Sequence, residues 1–163
     1  MPTKLESAQT RQDETPAQYP AQYPAQYPAQ YKILLVEDSR DSVAIVKAYL
    51  KDPRIDITVS ADGEQAVRAF KQSLFDLVLM DIQMPVLDGC AAALAIRHWE
   101  VENSFPPTPI TALTASTTAA ELARIFTSGC SNYLPKPVTK EILLQTVRQF
   151  LSSHPKSSVA QAA

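Results

Sequence analysis

The chain is poor in cysteine, has no block of basic residues and has no long apolar run, and each absence removes a class of protein. Two cysteines among 163 residues, Cys90 and Cys130, can form one bridge at most. That excludes the disulfide framework of a small secreted scaffold. The two read instead as small buried thiols in a reducing cytosol. Fifteen Lys and Arg stand against seventeen Asp and Glu, a formal net charge of -2. With no basic cluster, a nucleic-acid partner is not expected. No stretch approaches the ~18 apolar residues of a membrane span, so no membrane partner is expected either. Met1 to Glu6 lacks the apolar run of a signal peptide. These features point to a soluble, cytoplasmic chain. Its 45% hydrophobic content is enough for one ordinary core.

What is present first is a repeat. Residues 16–31 are four copies of Pro-Ala-Gln-Tyr. A period of four is too short for a solenoid. A proline every fourth residue excludes a helix and disfavours a central strand, because each lacks a backbone donor. Polyproline II turns every three residues, so tyrosines four apart spiral around it. Residues 1–30 are therefore expected to be a disordered or semi-extended tail, a repeat expansion with no binding role, the alternative being a tyrosine-rich docking segment. Residues 154–163, small and polar, are expected to be a flexible C-terminal tail.

From residue 31 to about 153 the texture alternates. Strand-like runs fall at 32–36, 56–59, 74–80, 108–113 and 132–134, and three of them are nearly continuous aliphatics, as strands covered on both faces are. Between them lie helical stripes: Val43, Val46, Leu50; then Leu122, Ile125, Phe126; then Leu143, Val147, Phe150, Leu151. Ser39 or Asp41, Asp62, Asp88, Ser116 and Thr139 stand where N-caps belong. A long loop is expected from Trp99 to Pro109, with Pro106, Pro107 and Pro109 in it. The strand–helix alternation, five times over, predicts an α/β fold with a doubly wound parallel sheet and right-handed crossovers. The flavodoxin-like strand order 2-1-3-4-5 would make strands 1 and 3 neighbours.

Polar residues of one chemistry sit where the apolar runs stop. Glu37 and Asp38 follow Ile33 to Val36, Asp81 follows Leu77 to Met80, Thr114 follows Ile110 to Leu113, and Lys136 lies between Pro135 and Pro137. Ligands of open parallel sheets bind at the carboxyl ends of the strands. Taken singly, the Glu-Asp pair could cap a helix, Asp81 could serve a turn, Thr114 could be an ordinary strand residue and Lys136 a solvated charge. Gathered on one edge, three acids, a hydroxyl and an ammonium can hold a divalent cation and a phosphoryl group together. A carboxylate such as Asp81 can attack phosphorus and form an acyl phosphate. Mg²⁺ suits acid ligands that leave it water and phosphate oxygens. Phosphoryl transfer needs mainly position and charge stabilisation.

Residues 32 to about 153 resemble the receiver domain of two-component response regulators, and are similar to the receivers of hybrid sensor kinases. The resemblance rests on Lys-Ile-Leu-Leu-Val-Glu-Asp-Ser (32–39), Asp-Gly-Glu-Gln-Ala (62–66), Leu-Val-Leu-Met-Asp-Ile-Gln-Met-Pro-Val-Leu-Asp-Gly (77–89), Ile-Thr-Ala-Leu-Thr-Ala (110–115) and Tyr-Leu-Pro-Lys-Pro-Val (133–138). It implies that Asp81 is the phosphoacceptor, that Glu37, Asp38, Asp81 and the backbone carbonyl of Gln83 hold Mg²⁺, and that Lys136 contacts the phosphoryl group. It implies a switch through Thr114 and Tyr133, and a histidine kinase or histidine phosphotransfer protein as donor. A cis Lys136–Pro137 bond fits the same resemblance. The expected function is a phosphoacceptor signalling module that switches binding to a downstream protein, not an enzyme, and the chain is either a stand-alone receiver or a fragment of a longer protein. Two other readings stand beside it. One is a receiver-like scaffold that is never phosphorylated. The other is an aspartyl-nucleophile phosphatase, which needs an acid two residues after the nucleophile, where this chain has Gln83.

Overall fold

A computed structural model describes residues 31–153. The N-terminal repeat before Tyr31 and the C-terminal tail from 154 lie outside the described residues. Five strands and five helices alternate: β1 (Tyr31–Val36), α1 (Arg40–Tyr49), β2 (Ile55–Ser60), α2 (Gly63–Gln72), β3 (Leu77–Asp81), α3 (Gly89–Glu102), β4 (Ile110–Thr114), α4 (Ala119–Thr127), β5 (Asn132–Pro135) and α5 (Lys140–Ser153). All pairings are parallel, in the order β2-β1-β3-β4-β5.

The period-two geometry of a strand divides each apolar run between two faces. Leu34, Val36, Val78 and Met80 face one layer with Ala66, Phe70, Ile96 and Ile125, so α2, α3 and α4 cover that side. Ile33, Leu35, Leu77 and Leu79 face the other, with Val46, Leu50, Leu143 and Val147 of α1 and α5. Central strands buried on both faces favour apolar residues, and β3 and β4 are buried throughout, with Asp81, Thr111 and Thr114 as their polar members.

Helix starts are fixed by side-chain oxygens accepting orphan backbone N–H groups. Ser39 accepts from Ser42, Asp62 from Gln65, and Asp88 from Ala91. Thr139 accepts from the N–H of Ile142 at 3.4 Å. At α4 the cap is Thr118, not the expected Ser116. Ser116 stands two residues too early, and its N–H and carbonyl are both bonded to the Thr114 hydroxyl.

Other element boundaries differ from expectation. β3 begins at Leu77, because Leu74 is exposed while Phe75 packs against Phe70. β4 begins at Ile110, because the backbone of Thr108 is engaged by Arg97 and Glu100. α3 runs through Trp99 to Glu102, so the connection to β4 is shorter than the loop expected from Trp99. Trp99 stays helical because its ring meets Phe70 edge-on and stacks on Phe105. Phe126, assigned to a buried stripe, is 48% exposed and stands edge-on to Tyr133. The Lys136–Pro137 bond is cis. No helix among the described residues is long and apolar enough to cross a membrane.

Candidate functional site

Parallel register brings the strand ends to one level. Val36 pairs with Met80, so Glu37 and Asp81 are the next residues on neighbouring strands. Asp81 pairs with Leu113, and Thr114 pairs with Pro135, one residue before Lys136. The N–H of Lys136 donates to the Thr114 carbonyl at 2.7 Å, which carries the lysine out of β5 beside β4.

The side chains converge. Carboxylate oxygens of Glu37, Asp38 and Asp81 lie within 4.8 Å of one another. Glu37 and Asp81 are buried, and Asp38 is exposed. Lys136 spans the two buried acids: its Nζ lies 2.8 Å from Glu37 Oε2 and 2.9 Å from Asp81 Oδ2. Burial works against its charge, but the hydrogen bonds to Glu37 and Asp81 outweigh that, and its pKa rises above 10.5. The second oxygens are also engaged. Glu37 Oε1 accepts from the N–H of Ser39 at 3.1 Å, and Asp81 Oδ1 accepts from the N–H of Gln83 at 3.1 Å.

The loop after Asp81 is pinned closely. The N–H of Gly89 donates to the Ile82 carbonyl at 3.0 Å. A Cβ on Gly89 would lie 2.1 Å from the carbonyl oxygen of Asp81, so the start of α3 needs glycine to approach this strand end. Val86, in the same loop, is 76% exposed with φ +70°, a rare conformation for a β-branched residue.

Thr114 ends β4 one residue beyond the partner of Asp81, and Tyr133 lies on β5, paired with Ala112. The Thr114 side chain is buried, and its hydroxyl donates to the Ser116 carbonyl at 3.0 Å and accepts from the Ser116 N–H at 3.1 Å. Tyr133 is half-buried, with ring centroids 6.1 Å from Phe126. Gln83 is exposed on the loop following Asp81.

Three contributors are not assigned to the site by the sequence, which marks Ser116 as a helix cap and Phe126 as part of a buried stripe. Ser116 holds the Thr114 hydroxyl, Phe126 flanks Tyr133, and Arg124 of α4 binds Asp88 at 2.7 Å across to the start of α3. The Thr-x-Ser spacing was the one visible signal for Ser116. The others are set by tertiary contact.

A doubly wound parallel sheet with acids, an ammonium and a hydroxyl collected at its carboxyl edge narrows the class of protein further than the fold alone. The response regulator receiver domain model matches residues 33–148, and the chain belongs to that family. Receiver domains are regulatory modules of two-component phosphorelay signalling rather than classical enzymes. The chain is 40% identical over 116 residues to the sensor protein GacS of Pseudomonas syringae pv. syringae, covering 71% of this chain and 13% of that protein. The chain thus spans about an eighth of that relative's length. Among solved structures it resembles the receiver domain of Ssk1 in complex with the Saccharomyces cerevisiae histidine phosphotransfer protein Ypd1 (TM-score 0.74, 30% identity, 80% of this chain and 95% of that one). It also resembles the receiver domain of sensor histidine kinase PA1611 from Pseudomonas aeruginosa, solved with magnesium in its active site cleft (TM-score 0.68, 34% identity, 76% and 99% covered).

Proposed function

We propose that this domain accepts a phosphoryl group on Asp81 from a phosphohistidine of a histidine kinase or histidine phosphotransfer protein. An Asp81 carboxylate oxygen attacks phosphorus, the P–N bond to the donor imidazole breaks, and the imidazole leaves with that electron pair. The observation that carries this reading is the Lys136 ammonium held between Asp81 and Glu37 beside a third carboxylate. That arrangement supports a contact from the Lys136 ammonium to a phosphoryl group on Asp81.

The donor set fits Mg²⁺. All candidate ligands are hard oxygens, and a 4.8 Å spread is close to the ~4.2 Å between opposite oxygens around that ion. Glu37, Asp38, Asp81 and the Gln83 carbonyl would hold it, and when bound it would supply neutralising charge for the phosphoryl oxygens. The PA1611 receiver with magnesium and the Ssk1 receiver with Ypd1 support the cofactor and the donor class.

For signalling, the Thr114 hydroxyl leaves its bonds to Ser116 and donates to the phosphoryl group. Tyr133 then turns into the space released and changes the surface around α4, β5 and α5 that a downstream protein meets. The test is to incubate the protein with Mg²⁺ and acetyl phosphate and to follow intact mass. A phosphoryl adduct is expected in the native chain and not in Asp81→Asn. No adduct in the native chain would favour the unphosphorylated scaffold, and an adduct persisting in Asp81→Asn would move the acceptor elsewhere.

A further inference from the structure

A groove stands apart from the acid site. It lies on the α1–α5 side near the start of β1, has a volume of about 660 Å³, and is walled by Tyr31, Tyr49, Leu50, Leu144 and Leu151. That size falls within the ~300–1,000 Å³ typical of sites that hold a small ligand or a few residues of peptide. Its rim carries Lys51, Lys140 and Arg148, all exposed, with Arg54 paired to Asp52 at 2.6 Å.

We propose that the Pro-Ala-Gln-Tyr repeat of this same chain occupies that groove. The first argument is where the segment ends. Tyr31 is both the last tyrosine of the repeat and a wall of the groove, half-buried against the α1–α5 core. The final copy of the repeat therefore already contributes its ring there.

The second argument is length. The fifteen residues from 16 to 30 would reach ~46 Å at the polyproline rise. The fourteen residues of α5 measure ~21 Å. The segment can fold back and run the whole groove with residues to spare. Tethering also raises its local concentration to the order of millimolar, so even a weak contact is populated.

The third argument is chemistry. Proline-rich segments dock in aromatic-lined grooves because little of their freedom is left to lose. Tyr49 and the apolar walls suit the tyrosine and proline rings, and Arg148 can stand over a tyrosine face. The repeat itself carries no charge, and the acidic pair Asp13–Glu14 just ahead of it is opposite in sign to the rim. Tyr27, one repeat before Tyr31, is the first ring able to enter.

Paramagnetic broadening in the full chain tests this. A nitroxide placed on Gln22→Cys labels the repeat selectively, since Cys90 and Cys130 are both buried. The expected result is selective loss of amide intensity at Lys51, Leu144 and Arg148, with Val67 and Leu122 on the opposite face unchanged. Tyr27→Ser in the same labelled chain should restore the lost intensity. Mixing labelled chain with isotope-labelled, nitroxide-free chain should give no broadening. Broadening that appears only in the mixture would assign the groove to a second copy and overturn the proposal. Broadening confined to the residues next to Tyr31, or insensitive to Tyr27→Ser, would overturn it as well.

Discussion

At Lys136 one ammonium answers two buried carboxylates, 2.8 and 2.9 Å away. Removing it in Lys136→Met leaves Glu37 and Asp81 facing each other without a shared cation, which should cost about 1–3 kcal/mol, less than a fully buried pair because the ammonium is partly solvated. The effect carries a pH signature. The lysine titrates higher in the folded chain than its ordinary 10.5. Its stabilisation is therefore complete below 10.5 and fades as pH rises through the folded-state value. Urea midpoints followed from neutral to strongly alkaline pH should fall more steeply in the native chain than in Lys136→Met, and parallel curves would rule the linkage out. Gly89 is the second residue on which the site depends. In Gly89→Ala the new methyl would meet backbone, at 2.1 Å from the Asp81 carbonyl oxygen. Backbone cannot rotate aside as a side chain can, so the loss should reach the upper part of the ~1–3 kcal/mol range for overpacking. A thermal melt with an unchanged midpoint would show that the loop yields freely.

Between elements, a four-membered polar junction lies at the far end of α3 from the acid site. Arg97 binds Glu100 at 2.5 Å, the Gly129 carbonyl at 2.9 Å and the Thr108 carbonyl at 2.8 Å, while Glu100 accepts from the Thr108 N–H at 2.7 Å. Glu100 is 2% exposed. The network ties α3 to the segment entering β4 and to the turn entering β5. Glu100→Ala would strand the guanidinium and one backbone N–H, a loss of about 3–5 kcal/mol for breaking a buried pair. Denaturant unfolding checks it, and a loss under 1 kcal/mol by the same ~1 kcal/mol standard for exposed pairs would mean water replaces the carboxylate. This junction also shows where sequence reading stops. Periodicity found all five strands and the stripes of α1 and α5, because those depend on local alternation of apolar residues. It ended α3 too early, because Pro106, Pro107 and Pro109 look like a boundary and nothing local reveals that Glu100 is buried against Arg97 and the backbone of Thr108. It started β3 too early for the converse reason: Leu74 and Phe75 are apolar, yet only Phe75 finds a neighbour. The acids and Lys136 were legible as residues because each stops an apolar run. Their pairing was not, since Glu37 and Lys136 are 99 positions apart.

Across the whole molecule, the acid site and the α4–β5 surface are joined by two short links. One runs through Thr114, whose hydroxyl is occupied by Ser116 in the loop leading to α4. The other runs from Asp88, at the start of α3, to Arg124 on α4. The second is an exposed ion pair, worth about 0–1 kcal/mol, so on energetic grounds it is too weak to relay a change alone. The first is buried, and moving a buried hydroxyl without a new partner costs about 1–3 kcal/mol. A phosphoryl group on Asp81 adds close to two negative charges and strong acceptor oxygens, which is a partner good enough to draw the hydroxyl away from Ser116. Coupling should then reach Tyr133, one strand over, and its edge-on neighbour Phe126. Thr114→Ala should accept phosphoryl from acetyl phosphate, because Asp81 and Lys136 are untouched, but the Tyr133 and Phe126 ring signals should no longer move on phosphorylation. Ring NMR spectra with and without acetyl phosphate, in the native chain and in Thr114→Ala, make the comparison. Ring shifts of equal size in both proteins would place the relay outside Thr114 and leave the Asp88–Arg124 contact as the route to test next.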